Sequence, residues 1–272
     1  MKVSLKQSQI PSHISLLWKV FTKKTQPAKL PLLRVQVDDF CFDEAAIEKY
    51  NRYCGFESGS FPLCYAFVAT QPVQLIFLTD NRIPVTPLGM IHMGVSFEQI
   101  TPFNCAESYR FELSVGEQQR GERGLEFELV GEFSLNGEAV ARYRSRCFIK
   151  MEGTKGSGRP ARVKPVKRTW APLTPLQLDS TQARGYARLS GDYNPIHLHR
   201  LLSKPFGFDE PIAHGMYMVA KVLAASPTDL TKASFEFKRP ALLPISGAVE
   251  GCDGAMRFVN DKNKPVVECQ FG

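Results

Sequence analysis

No aspartate or glutamate occurs before Asp38, although those 37 residues carry seven lysines and arginines. An acid-free, Ser-containing start resembles an organelle transit peptide, but such peptides are Arg-rich and here the charge is mostly Lys. A secretory signal is not expected either. The apolar stretch from Ile14 to Phe21 is short, is broken by Trp18-Lys19, and has no small-residue cleavage site. Residues 1–30 therefore read as a basic extension, either a surface helix or a disordered arm. No apolar run approaches the roughly 20 residues that span a bilayer, so no membrane span is expected. No Cys-x-x-Cys occurs, and the seven cysteines (41, 54, 64, 105, 147, 252 and 269) are odd in number. This argues against a disulfide framework or zinc site and for free thiols in a reducing, cytoplasmic compartment. The last residues, Cys269-Gln270-Phe271-Gly272, are not a peroxisomal Ser-Lys-Leu address.

What the chain does contain is ordinary for a globular protein. Of its 272 residues, 43% are hydrophobic and 22% charged, enough for one or two domains with a real core. The net charge of +7 would suggest a polyanionic partner, but it is unevenly spread. The stretch 151–168 holds six cations against Glu152, so residues 38–150 and 169–272 together carry a net negative charge. The basic excess sits in a tail and a Gly/Pro-containing linker, so no nucleic-acid partner is expected.

An internal repeat divides the chain. The segment from Asp43 aligns without gaps on the segment from Asp179, with Asp43/Asp179, Tyr50/Tyr186, Arg52/Arg188 and Gly55/Gly191 identical. Each segment opens on an N-cap Asp and closes on a Gly suited to a helix stop. Further on, Ser96-Phe97-Glu98 matches Ser234-Phe235-Glu236 at nearly the same offset. Strand-like runs around a turn follow in each half, at Asn136-Gly137 and at 260–264. The order predicts an α+β fold of two tandem units, 31–150 and 169–272, joined by the linker 151–168.

The second unit carries the chemistry. Asp192 and His197 are separated by Asn194-Pro195, which bars a regular helix and favours a turn. A turn can bring a carboxylate and an imidazole onto one reacting centre, a pairing suited to acid–base work near neutral pH. Next, the run 215–223 reads as a buried helix beginning near Gly215. Its first amides are unpaired and could receive a developing oxyanion. His197, His199 and His214 match no common zinc spacing, so no metal is expected. His214 is read first as a structural histidine, and the stripe Met216, Met218, Val219, Val222 as core packing.

The segment Tyr186…Ser190-Gly191-Asp192-Tyr193-Asn194-Pro195-Ile196-His197, with Ser203 six residues on and Ala213-His214-Gly215-Met216 downstream, resembles the MaoC-like (R)-specific enoyl-CoA hydratase (hydratase 2) family. The resemblance covers about thirty residues directly, and the repeat extends it to the duplicated, double hot-dog members. It implies a hot-dog fold, a long helix wrapped by an antiparallel sheet. It implies Asp192 and His197 as the catalytic pair, Asn194 as an orienting group and the Gly215 amide as oxyanion donor. Ser190, Tyr193, His214 and Met216 are expected at the substrate site. The implied reaction is reversible hydration of a trans-2-enoyl thioester to a (3R)-3-hydroxyacyl thioester, with coenzyme A or a carrier protein as the thiol part and no further cofactor. Two hot-dogs in one chain can replace a homodimer of single units, and a homodimer of double hot-dogs stays open.

At the repeat offset, Asp192 faces Phe56, Asn194 faces Ser58 and His197 faces Phe61, and the first half lacks the counterpart of 198–210. The first unit therefore reads as a degenerate hot-dog. In duplicated members such a unit helps form the acyl-tail pocket. The alternatives are a non-catalytic acyl-thioester binding protein and a hot-dog thioesterase. The linker cations either meet a ligand's phosphates or are simply solvated.

Overall fold

The computed structural model describes residues 1–12, 15–16, 19–20, 23, 28–122, 124–150, 168–226 and 230–272. The linker reading of 151–168 thus falls, but for Arg168, outside the described residues. In chain order the elements are β1 (Lys2–Leu5), β2 (Arg34–Phe40), α1 (Glu44–Cys54), α2 (Tyr65–Ala69), α3 (Gln71–Thr79), β3 (Ile91–Gln99), β4 (Tyr109–Gly121), β5 (Gly124–Leu135) and β6 (Glu138–Lys150). There follow β7 (Ala171–Leu178), α4 (Ser180–Ser190), α5 (Arg200–Ser203), α6 (Gly215–Ala224), β8 (Lys232–Phe237), β9 (Ile245–Cys252), β10 (Ala255–Asn260) and β11 (Pro265–Phe271).

All eleven strands form one sheet, ordered β1-β2-β4-β5-β6-β3-β8-β11-β10-β9-β7. Apart from β1, the order reads as two five-stranded halves meeting at the antiparallel pair β3/β8. In that pair Ser96 lies directly opposite Ser234. Those two residues are also equivalent in the repeat, so a pseudo-twofold axis passes between them. Each half is a hot-dog, with α3 packed on β2 and β4 and α6 packed on β10 and β11.

Local chemistry explains these elements. Asp43 caps α1 by accepting from the Ala45 amide, and Asp179 forms a capping box with Gln182 on α4. Both helices stop at a left-handed glycine, Gly55 (φ 93°) and Gly191 (φ 76°). β5 alternates Leu125, Phe127 and Leu129 inward with Glu126 and Glu128 outward, and β6 answers with Tyr143, Ser145 and Cys147 inward. Outward, Glu128 faces Arg146 and Glu132 faces Arg142 across the ladder, so opposite charges pair along the solvent face. Arg146 also reaches Glu236 at 3.4 Å, across the join between halves. All seven cysteines are free thiols.

The first residues replace the disordered-arm alternative for 1–30 and fit the surface-helix one: residues 15–16 and 19–20 are helical, with Ser15 and Lys19 exposed. β1 pairs in parallel with β2 and extends the sheet edge, and Leu16 and Val20 are buried. A strand this short is hard to recognise because its neighbour lies about thirty residues away.

Where α1 meets α4, Tyr53 Oη donates to the Gln182 carbonyl at 2.7 Å and lies over Gly185. A Cβ at Gly185 would stand 2.0 Å from that hydroxyl. In an open helix Gly→Ala gains up to about 1 kcal/mol. Here Gly185→Ala is expected to destabilise the protein by about 1–2 kcal/mol, because the Tyr53 ring must leave its hydrogen bond. Urea denaturation measures this, and a gain in stability would show that the contact is loose.

Candidate active site

Gly191 ends α4 in the left-handed conformation and turns the chain sharply. Ser190 Oγ donates to the Tyr186 carbonyl at 2.8 Å and accepts from the Asp192 amide at 3.2 Å. The Asp192 carboxylate accepts from the Asn194 amide at 3.2 Å, and Asn194 Oδ1 accepts from the Ile196 amide at 3.4 Å. This chain of short-range bonds folds 190–197 into a compact turn ending in the 3-10 turn Pro195–His197. Ser203, fully buried, donates its hydroxyl to the Arg200 and Phe208 carbonyls, 3.1 Å each, and so holds the overhang after His197.

His197 Nδ1 lies 2.8 Å from the Ile212 carbonyl, which can only accept. Nδ1 therefore carries the proton and Nε2 presents a lone pair. His214, behind it, donates from Nε2 to the Asp192 carbonyl at 2.9 Å. The two imidazoles stack at 3.8 Å between centroids, 28° apart. His214 Nδ1 is buried without a partner.

The electrostatics follow. Burial by itself would raise the Asp192 pKa, but His214, His197, the Asn194 amide and Gln71 outweigh it, and the carboxyl ends below its ordinary value. Burial pulls His197 below the usual imidazole value, against the opposing pull of Asp192 and the Ile212 carbonyl. Burial, reinforced by His197, lowers His214 to about 3. At neutral pH the site thus holds an ionised carboxylate and two neutral imidazoles.

Asp192, His197 and His214 offer ligand atoms within 4.8 Å of one another. Each ring already gives one nitrogen to a backbone carbonyl, His197 Nδ1 to Ile212 and His214 Nε2 to Asp192. That arrangement suits proton transfer better than tetrahedral coordination.

Helix α6 begins at Gly215 beside this cluster, and its N-cap His214 makes no side-chain cap. The first amides therefore keep the positive end of the helix dipole. A Cβ on Gly215 would come within 2.9 Å of the Phe237 ring, so only glycine allows that ring so close.

Asp192, His197, Asn194, Gly215, Ser190, Tyr193 and Met216 all line one cavity of about 1030 Å³. His214 supports it from behind. Two further residues come from the first half and carry no motif. Gln71, the first residue of α3, lines the cavity, and its side chain is among the groups that draw the Asp192 carboxyl down. His92 on β3 lies 3.0 Å from Ser145 Oγ, stacks on Phe67 and packs against Phe237, the residue over Gly215. Burial holds His92 at about 4, so it too is neutral. Phe56, Ser58 and Phe61, the counterparts of the acidic turn, are not among the cavity residues.

Fold and site define a double hot-dog protein with one buried Asp–His centre at a helix start. A profile described as a MaoC-like domain matches residues 159–241. The 3-hydroxyacyl-thioester dehydratase X (HtdX) of Mycobacterium tuberculosis is 31% identical over 234 residues, which covers 83% of this chain and 82% of that protein. A crystal structure of HtdX superposes with a TM-score of 0.75 at 26% identity, covering 86% of this chain and 98% of that one. A MaoC-like dehydratase from Phytophthora capsici shares the fold, with a TM-score of 0.62 at 21% identity, covering 89% and 96%. The chain belongs to the MaoC-like dehydratase family, whose members are lyases.

Proposed function

We propose that the protein reversibly hydrates trans-2-enoyl thioesters to (3R)-3-hydroxyacyl thioesters. The observation that carries this is Asp192 and His197 facing one cavity beside the uncapped start of α6, with burial and neighbours drawing both groups below their ordinary pKa values. The thioester of the matched relative's name fits the same arrangement. The thioester carbonyl sits at the Gly215 amide, where the helix dipole stabilises the enolate oxygen as water adds to C3. Neither Asp192 nor His197 holds a spare acidic proton at rest. The water therefore supplies both parts: its oxygen bonds to C3, and its proton passes through the Asp192/His197 pair to C2. Delivery through one pair on one face makes the addition syn. Asn194 shapes the turn that aims Asp192, and Ser190, Tyr193 and Met216 border the substrate. His214 holds the Asp192 backbone and the His197 ring in place.

The reaction is redox-neutral, so this reading calls for no cofactor beyond the coenzyme A or carrier arm borne by the substrate. The division of labour follows the units: 169–272 supplies the chemistry, and 31–150 supplies cavity wall with Gln71 and His92. No helix among the described residues is long and apolar enough to cross a membrane. The free thiols fit a reducing compartment such as the cytoplasm.

The test is hydration of crotonyl-CoA, followed as loss of enoyl absorbance, with chiral analysis of the product. The expected product is the 3R alcohol. A 3S product would place the water on the opposite face of C3 and overturn the 3R assignment; hydration in D2O, with the C2 deuterium located relative to the C3 hydroxyl, checks the syn course. Release of free coenzyme A would favour a thioesterase, and binding without turnover would favour an acyl-thioester binding protein.

A further inference from the structure

The basic N-terminal arm has no part in that chemistry, yet the fold uses it. Val20 is buried and lies in the wall of the catalytic cavity together with Leu75, Leu78 and Leu88. Leu16 is buried as well. Lys23 Nζ donates to the Leu78 and Asp80 carbonyls, 2.6 Å each, and so caps the C-terminal end of α3. Burial draws this ammonium down to about 8 against the pull of Asp80. Thr86 Oγ1 donates to the Val20 carbonyl at 3.4 Å. Upstream, β1 and the contacts of Gln7 with Asp39 and Cys41 fasten the arm to the sheet edge.

Helix α3 gives the direction. It starts at Gln71, against Asp192, and reaches Leu78, against the arm. Seven residues of helix span about 10 Å. An acyl chain whose C2 and C3 lie at Asp192 and His197 would therefore run along α3 and end where Val20 stands.

We propose that the N-terminal arm, through Val20, forms the end wall of the acyl cavity and sets the longest acyl chain the enzyme accepts. This rests on the acyl-thioester reading and adds to it a medium-to-long, unbranched tail as the substrate class. The arm is thus a specificity element.

The test compares chain-length ratios in the full chain. Val20→Trp fills the end of the cavity. Each buried methylene contributes about fourfold to binding. The kcat/KM ratio of trans-2-dodecenoyl-CoA to crotonyl-CoA is expected to fall at least about tenfold, the loss of roughly two methylenes. Lys23→Met unfastens the arm from α3 and is expected to raise the ratio of trans-2-hexadecenoyl-CoA to crotonyl-CoA at least about threefold, since the end wall can then give way. The same variants are titrated calorimetrically with dodecanoyl-CoA and butyryl-CoA. If no enoyl thioester is hydrated, the activity reading fails, while the binding ratio still tests the arm. Ratios within about twofold of the parent in both variants, for turnover and for binding, overturn the proposal; a change confined to long chains supports it.

Discussion

Replacing Asp192 by Asn is expected to lower kcat/KM for crotonyl-CoA by about 10³-fold or more while leaving the fold intact. Positioned acid–base groups typically contribute 10²- to 10⁴-fold, and the Asp192 carboxyl lies below its ordinary value in spite of its burial, with the Asn194 amide donating to it. Asn keeps the volume and one acceptor oxygen, so the Asn194 amide bond that shapes the turn can persist. The proton path does not, because an amide cannot take a proton from water at neutral pH. Circular dichroism should show the parent fold, and stopped or continuous hydration assays should show the loss. Activity within tenfold of the parent would remove Asp192 from the proton path and, with it, the proposed reaction course.

His197→Gln is expected to cost about 10²- to 10³-fold by the same measure. Gln can still donate to the Ile212 carbonyl, which His197 Nδ1 does now, so the loss reports the missing Nε2 lone pair and not a collapsed turn. The pH dependence sharpens the test. The active form needs Asp192 ionised and His197 neutral. Both have folded-state pKa values below their ordinary ones, so both conditions hold above those values. The kcat/KM profile should therefore be flat through neutrality and fall only on the acid side, below the ordinary imidazole value of about 6.5. Loss of activity on the alkaline side, as pH rises through an imidazole titration, would mean that His197 works as a cation, contrary to the neutral state argued here. The His197→Gln profile should lose the contribution of the imidazole and keep only that of the carboxylate.

Much of this was readable along the chain. The N-cap aspartates Asp43 and Asp179, the stop glycines Gly55 and Gly191, and the Asn136-Gly137 turn are all short-range features, and each stands where the residues place it. The matched Ser96 and Ser234 even fall opposite each other on the pseudo-twofold axis. The cluster 190–197 folds through bonds between near neighbours, which explains why its motif was recognisable. Two things escaped. Gln71 and His92 belong to a half that has lost its own acidic turn, and nothing around them in the chain marks them. The arm fits the surface-helix expectation at residues 15–16 and 19–20, but nothing in the chain marks Val20 as part of the cavity wall.

The division follows the range of the forces. Periodicity, caps, turns and the Asp–Asn–His segment are decided within about ten residues, so the linear order of the chain settles the hot-dog units and the centre they carry. Which half walls the cavity, which neutral groups surround Asp192, and where the acyl path ends depend on packing between segments 50 to 120 residues apart, such as Val20 beside Leu78 and Gln71 beside Asp192. Burial of that kind sets the protonation states of the site. It exists only once the sheet has closed around both helices, and so it was a property of the folded molecule alone.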